Sequence, residues 1–380
     1  MKKLFAIVLS AMMVFSFAVS AFAAEDGAQD VKAVVEELKA TANWDQMALD
    51  SGILDRVDKI VEVDKDYVWK IGTPSGGRLD QNEMMANFEA YIEASTAGKV
   101  QVELYPLSQL GTNNQMIEGV LDGSIAAWLG PVEYLYNYAP GVGVSTIPFL
   151  FEGGSYQVAE IYQKDPVMDD YLATKGFWNI AWGKDNSGCM TSNKKIESID
   201  DFKGLKVWCL PTEMQMMLFK DLGADVITLD SSDVSMAFQN GAVNAGVAGI
   251  TFQVTVGKVN EVADYVYKFP FNPSPICFVF SQEFKESLPE DLAALVTEAG
   301  QLINEIHEDY TIALLDDYDV IAHDTMEVME VPEGLFDQAK ELTAHIHDYY
   351  KDLDADCAAI YEKILPLIEQ YPAEENHGLW

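Results

Sequence analysis

Between Asp200 and Gly249 the apolar positions alternate between the strand period and the helix period, with little chain left for loops. Leu205–Leu210 is a short apolar run opened by Lys203-Gly204, which suits a buried strand. Thr212–Leu222 carries its large apolar residues at helical spacing and stops at Gly223. Asp225–Leu229 is rich in β-branched residues and predicts a second strand. Asp230 or Ser231 caps a helix running to Gln239, Asn240-Gly241 supplies a left-handed stop, and Ala242–Val247 is a third strand. A β-α-β-α-β unit of this length builds a parallel sheet, because parallel strands need helical crossovers. Ligands of such sheets sit beyond the carboxyl ends of the strands. Trp208, Cys209, Asp230, Ser231 and the turn after Val247 are therefore the first candidates for a cleft.

The same reading covers the rest of the chain. Glu25–Asp66 is an acidic extension whose Val, Leu and Ile spacing predicts helices over Asp30–Ala42 and Trp44–Val63. Tyr67–Thr73 is a strand, and Gly76-Gly77-Arg78 turns into a helix over Asp80–Ala97. A strand over Val100–Tyr105 and a helix over Asn113–Asp122 follow, and Ala126–Leu129 and Ser145–Phe149 continue the unit. Gly176–Gly183 and Cys189–Asn193 lead into the Asp200–Gly249 stretch; Tyr265–Phe271 and Ile276–Ser281 lead back. Pro289–Met326 is one long helical run, and Leu335–Tyr371 is helical. A chain of 380 residues exceeds what one hydrophobic core serves, so two lobes are expected.

The start of the chain gives an address. Lys2-Lys3, the apolar run Leu4–Val19 and Ala21-Phe22-Ala23 form the n-region, h-region and cleavage site of a leader spanning residues 1–23. With no Cys at the cleavage point, a lipoprotein anchor is not expected, and the mature chain has no comparable apolar run for membrane insertion. The expected location is the periplasm. A formal net charge of −37 repels nucleic acid at long range and keeps an exported protein solvated.

Catalytic and metal patterns are missing. Five His occur, at positions 307, 323, 345, 347 and 377, without a nucleophile motif beside them. His345 and His347 do not share a helix face, which argues against a zinc pair. Asp352, Asp354 and Asp356 resemble the start of a calcium loop, but Cys357 and Lys363 stand where Gly and Glu are needed. Neither a Walker loop nor a dinucleotide fingerprint is present. No enzyme, cofactor or metal site is expected.

Several runs carry a resemblance to a known family. They are VELYPLSQLGTNNQMIEGVLDGS (Val102–Ser124), IPFLFE (Ile147–Glu152), SNKKIESIDDFKGLKV (Ser192–Val207), DLGADVITL (Asp221–Leu229), DVSMAFQNGAVNA (Asp233–Ala245) and SQEFKESLPEDL (Ser281–Leu292). In this order they resemble the solute-binding proteins of TRAP (tripartite ATP-independent periplasmic) transporters, over about Trp69 to Tyr371. The resemblance implies an α/β two-lobe periplasmic binding protein fold, with a ligand cleft between lobes and a long helix spanning both. It places residues 67–185 and 275–313 in lobe I, 186–274 and 314–371 in lobe II, and 372–380 in a tail. It also implies a solute receptor that hands its ligand to membrane permease subunits. The alternative is a solute-sensing protein partnering a membrane signalling receptor, with the extension at residues 24–66 as its docking surface. The alignment puts Cys189 and Cys209 on neighbouring elements by the cleft, where a disulfide between them is one expectation.

The resemblance also exposes a departure. Family members hold an organic acid through an Arg on the strand corresponding to Leu205–Leu210, whose planar fork matches a carboxylate. Here that place is taken by Trp208 or Cys209, a second family Arg falls on Gly188, and the chain has only Arg56 and Arg78. Three solute classes follow. Trp208, Val247 and Phe271 suit an aromatic or apolar molecule oriented by Asn186, Ser231, Asn272 and Ser274. Trp208 with a nearby acid such as Asp230 or Asp185 suits an amine or quaternary ammonium group. Arg78 at the cleft end of the first strand suits a carboxylate.

Overall fold

The computed structural model describes residues 30–76, 80–184, 188–255, 257–268 and 273–373. The expected leader, the last residues of the tail, and the candidates Arg78, Asp185, Asn186, Phe271 and Asn272 lie outside the described residues.

The extension begins with α1 (Val31–Thr41), capped by Asp30, and α2 (Gln46–Asp50), capped by Asp45. Helix does not extend over the rest of Trp44–Val63. Gly52 takes a left-handed φ of 79°, a 3-10 turn covers Ile53–Arg56, and the chain then reaches the first strand without further helix. Spacing alone missed the break because Gly52 interrupts an otherwise helical pattern.

The first sheet contains β1 (Tyr67–Gly72), β2 (Val100–Tyr105), β3 (Ala127–Pro131) and β4 (Phe177–Gly183). Between them run α3 (Asp80–Ser95), α4 (Asn113–Asp122), α5 (Gly154–Lys164) and α6 (Val167–Thr174). Ser145–Phe149 forms no strand: Pro140–Thr146 is a 3-10 segment. The second sheet contains β5 (Gly188–Ser192), β6 (Lys206–Trp208), β7 (Asp225–Ile227), β8 (Ala245–Gly249) and β9 (Tyr265–Lys268). Its helices are α7 (Glu213–Asp221), α8 (Val234–Gln239) and α9 (Ile250–Val254). The chain then returns through β10 (Ile276–Ser281) and α10 (Gln282–Ser287) to α11 (Glu290–Thr325). It ends with β11 (Glu327–Met329), α12 (Leu335–Thr343), α13 (His345–Leu353) and α14 (Ala355–Gln370).

Strand order is β2-β1-β3-β10-β4 in one sheet and β11-β9-β5-β8-β6-β7 in the other. The predicted unit is present: β6 pairs in parallel with both β7 and β8. Strand β10 enters the first sheet antiparallel to β3 and β4, so each lobe is completed by chain that has visited the other. Its side chains alternate as a two-sided buried strand requires. Ile276, Phe278 and Phe280 join the core under α3, whereas Cys277 and Val279 join the core shared with the second sheet.

At 36 residues, α11 is about 54 Å long. It lies on α3 and β4 of the first lobe and on α9 and β11 of the second, bracing both. Gly300 makes this possible: a Cβ there would stand 2.0 Å from the Ile180 carbonyl oxygen, so the helix sits directly on β4. Helices α12 and α13 pack on α7 of the second lobe, but α14 packs on α5, α6 and the Pro140–Thr146 segment beside the first sheet.

Candidate functional site

Where the carboxyl ends of strands from both sheets face each other, they enclose a cavity of about 40 Å³. First-lobe walls come from the residues after β1 (Pro74, Ser75, and Gln81 on α3), from Pro131 at the end of β3 and Tyr134 after it, and from Ser274. Second-lobe walls come from Trp208 and Leu210 around the end of β6, Ser231 after β7, Ala248 and Gly249 at the end of β8, and Thr251 and Phe252 on α9. Ligand pockets run to about 300–1,000 Å³, well above this volume.

Trp208 is buried at the strand end, with its Nε1 donating to the Leu229 carbonyl at 3.2 Å. Its ring stacks on Phe252 with centroids 5.5 Å apart and planes at 26°. Gly246 on the neighbouring strand leaves the room: a Cβ there would meet the Phe238 ring at 3.1 Å and the Trp208 ring at 3.3 Å. The opposite wall is set by polar contacts. The hydroxyls of Ser75 and Thr73 both donate to Gln81 Oε1, at 2.6 and 2.8 Å. Ser274 is tied to the first lobe twice, its backbone N–H donating to Ser155 Oγ at 2.8 Å and its hydroxyl to Glu133 Oε2 at 3.0 Å.

Of the predicted site residues, Trp208, Ser231 and Ser274 line this cavity. Val247 is buried in the core of the second lobe; no turn follows it directly, and the last two residues of β8, Ala248 and Gly249, line the cavity instead. Asp230 is absent from the lining, and its oxygens are engaged. Oδ1 accepts from Ser232 N and Oγ at 3.1 and 2.9 Å, and Oδ2 accepts from Asn113 N and Nδ2 at 3.2 and 3.3 Å. Cys189 and Cys209 are buried thiols that do not bridge. The reason is topological: β8 lies between β5 and β6, and two strand spacings of about 4.8 Å exceed the Cα separation a disulfide tolerates. Tyr134, Gln81, Thr251 and Phe252 were missed by motif reading. Their signal was the strand-end rule itself, applied to β1 and β3 as well as to β6 and β7, and carried past the turn expected after Val247.

Behind this wall sits Glu133, fully buried, with Oε1 making no hydrogen bond among the described residues. Burial pushes its carboxyl up to about 8. Burial likewise holds the Tyr134 hydroxyl far above its ordinary value, so it faces Ser231 as a neutral phenol. The sign of the linkage for Glu133 is fixed by its raised value. From about pH 4.5, where the unfolded carboxyl ionises, to about pH 8, the folded state holds a proton the unfolded state has lost, so stability falls as pH rises. Glu133→Gln removes this loss. The melting temperature of the variant relative to the parent protein is expected to be higher at pH 8 than at pH 5; thermal melts at both pH values check it.

Comparison with known proteins decides the family. A family model described as "Bacterial extracellular solute-binding protein, family 7" matches residues 77–352. The chain belongs to this family. A solute-binding protein of Albidiferax ferrireducens is 27% identical over 261 residues, covering 65% of this chain and 74% of that one. The 2,3-diketo-L-gulonate-binding periplasmic protein YiaO of Escherichia coli is 26% identical over 222 residues, covering 57% of this chain and 67% of that one. A TRAP periplasmic solute-binding protein from Desulfovibrio salexigens, solved with bound orotic acid, has a TM-score of 0.73 at 23% identity, covering 80% of this chain and 98% of that one. The two-lobe α/β architecture of this family 7 receptor is thus the one expected from its motifs. Its family is one of transport receptors of the periplasm. Among the described residues no helix is long and apolar enough to cross a membrane.

Proposed function

We propose that this chain is the extracytoplasmic receptor of a TRAP transporter and captures a small, flat organic solute between its lobes for delivery to the membrane permease. The carrying observation is the stacked Trp208–Phe252 pair at the end of β6, the strand on which the family resemblance places a carboxylate-binding arginine. A planar indole there favours a ring over a simple dicarboxylate. The hydroxyls of Ser75, Ser231, Thr251 and Ser274 and the Gln81 amide supply neutral hydrogen-bonding partners around it. The amine-bearing class is supported less well, because Asp230 is engaged with Asn113 and Ser232. Binding works by differential affinity: a solute that touches both walls favours the closed lobes over the open ones.

A thermal-shift panel tests this. Orotate, uracil and benzamide represent flat rings; 2,3-diketo-L-gulonate and succinate represent acyclic acids; choline represents quaternary amines. A compound that binds only the folded protein at a hundred times its Kd adds about 2.7 kcal/mol of stability. The ring compounds are expected to raise the melting temperature and succinate to leave it unchanged. A strong shift with succinate alone would overturn the proposed solute class.

A further inference from the structure

The contact between Asp230 and Asn113 joins the two lobes. Asn113 is the first residue of α4, a ten-residue helix of the first lobe capped by Thr112, whose Oγ accepts from Gln115 N. The backbone N–H of Asn113 donates to Asp230 Oδ2 of the second lobe at 3.2 Å, so a carboxylate from across the cleft occupies the helix N-terminus. The orientation of the Asn113 amide is fixed by its neighbours. The Trp128 indole N–H is a donor only and lies 3.2 Å from Asn113 Oδ1, so that oxygen faces Trp128. The Asn113 Nδ2 therefore faces Asp230 Oδ2 at 3.3 Å and Ser231 Oγ at 3.1 Å. Tyr134, also of the first lobe, places its hydroxyl 3.4 Å from the same Ser231 Oγ. Asp230 thus works in both lobes: one oxygen holds the turn at Ser232, and the other crosses to α4.

We propose that Asn113 and Asp230 form a latch that holds the lobes closed and positions the Ser231 hydroxyl at the cavity wall. Ser231 and Tyr134 both line the cavity, so the latch is continuous with the solute site. When the lobes separate, Asp230 and the Asn113 amide exchange these partners for water, which makes the contact a modest and reversible one. The latch extends the receptor reading to the control of opening, and its test needs no solute.

Hydrogen exchange of the solute-free chain, read in peptides covering Gly111–Ile117 and Leu229–Val234, is compared in Asp230→Asn and Asn113→Ala. Asn remains a good cap for the Ser231–Asp233 turn, and Thr112 still caps α4 in the Asn113 variant. In both variants exchange in both peptides is expected to quicken by about tenfold, as loss of a charge-assisted hydrogen bond implies. The radius of gyration from X-ray scattering should grow while the melting temperature stays close to that of the parent. The double variant should exceed the stronger single one by little, because both changes break one contact. Unchanged exchange in both variants overturns the latch. So does faster exchange throughout the second sheet with a lowered melting temperature, which is the signature of lost packing. If Asp230→Asn does not fold, Asn113→Ala decides the question from the other lobe. A failed solute panel alongside quickened exchange would count against the receptor reading and leave the latch standing.

Discussion

Trp208→Ala is expected to abolish solute binding and to cost about 3–5 kcal/mol of stability, the usual range for a buried Trp cut back to Ala. The side chain is 1% exposed, stacks on Phe252 and holds the Leu229 carbonyl through its indole N–H. Removing it leaves that carbonyl without its donor and opens a void beside Gly246, where no side chain is present to fill the space. The void continues into the cavity between the lobes, so water enters the site and the stacking partner for a ring is gone. Trp208→Phe separates the two effects: it retains an aromatic face, loses the hydrogen bond to Leu229, and should recover much of the stability. Urea unfolding midpoints measure the first effect. Loss of the thermal shift produced by whichever panel compound stabilises the parent measures the second. An Ala variant that unfolds at the parent's urea concentration would refute the placement of Trp208 described here.

Much of the architecture is legible in the periodicity, and the reasons are local. Helices α4 and α7 announce themselves through apolar residues three and four apart, and in the structure a Thr side chain caps each first turn. The strand ends of β6 and β7 mark the second-lobe wall because parallel sheets concentrate their loops on one side. What local patterns do not carry is pairing between distant segments. The insertion of β8 between β5 and β6 separates Cys189 from Cys209, and nothing in either stretch of sequence reveals that order. Asp230 reads as an acid at a strand end, available to a cationic ligand. Only the approach of α4, 117 residues away in sequence, turns it into a contact between lobes. The extension is the third such case. Its acidic, half-regular sequence looks detachable, yet it is built into the first lobe.

Removing residues up to Asp66, so that the chain begins at Tyr67, is expected to lower the melting temperature by on the order of 10 °C and to promote aggregation. Val35, Trp44, Ala48, Ile53, Leu54 and Val61 are buried in the core they share with α3 and the first part of α11. Each larger apolar side chain contributes roughly 1.5–3 kcal/mol by leaving water, offset by the entropy of ordering its segment, which leaves a net effect of a few kcal/mol. Polar contacts tie the same seam. Trp44 Nε1 donates to Glu93 at 2.8 Å, Ser51 Oγ donates to Asn87 at 2.7 Å, and the Val61 N–H donates to the Ser95 carbonyl at 2.7 Å. Lys59 pairs with Glu298 and Arg56 with Glu305 on α11, although these exposed pairs add little. Losing Trp44 would also leave the half-buried Glu93 carboxylate, already held above its ordinary value by burial, with one donor fewer. The truncation therefore tests what the extension is for. A docking surface for a signalling partner would be dispensable for folding, and the shortened chain would melt with the parent. A structural brace would not be dispensable: α3 and α11 would lose their outer cover, and with α3 goes Gln81 in the wall of the cleft. Thermal melts of the two chains decide between these, and the buried face of the extension predicts the brace.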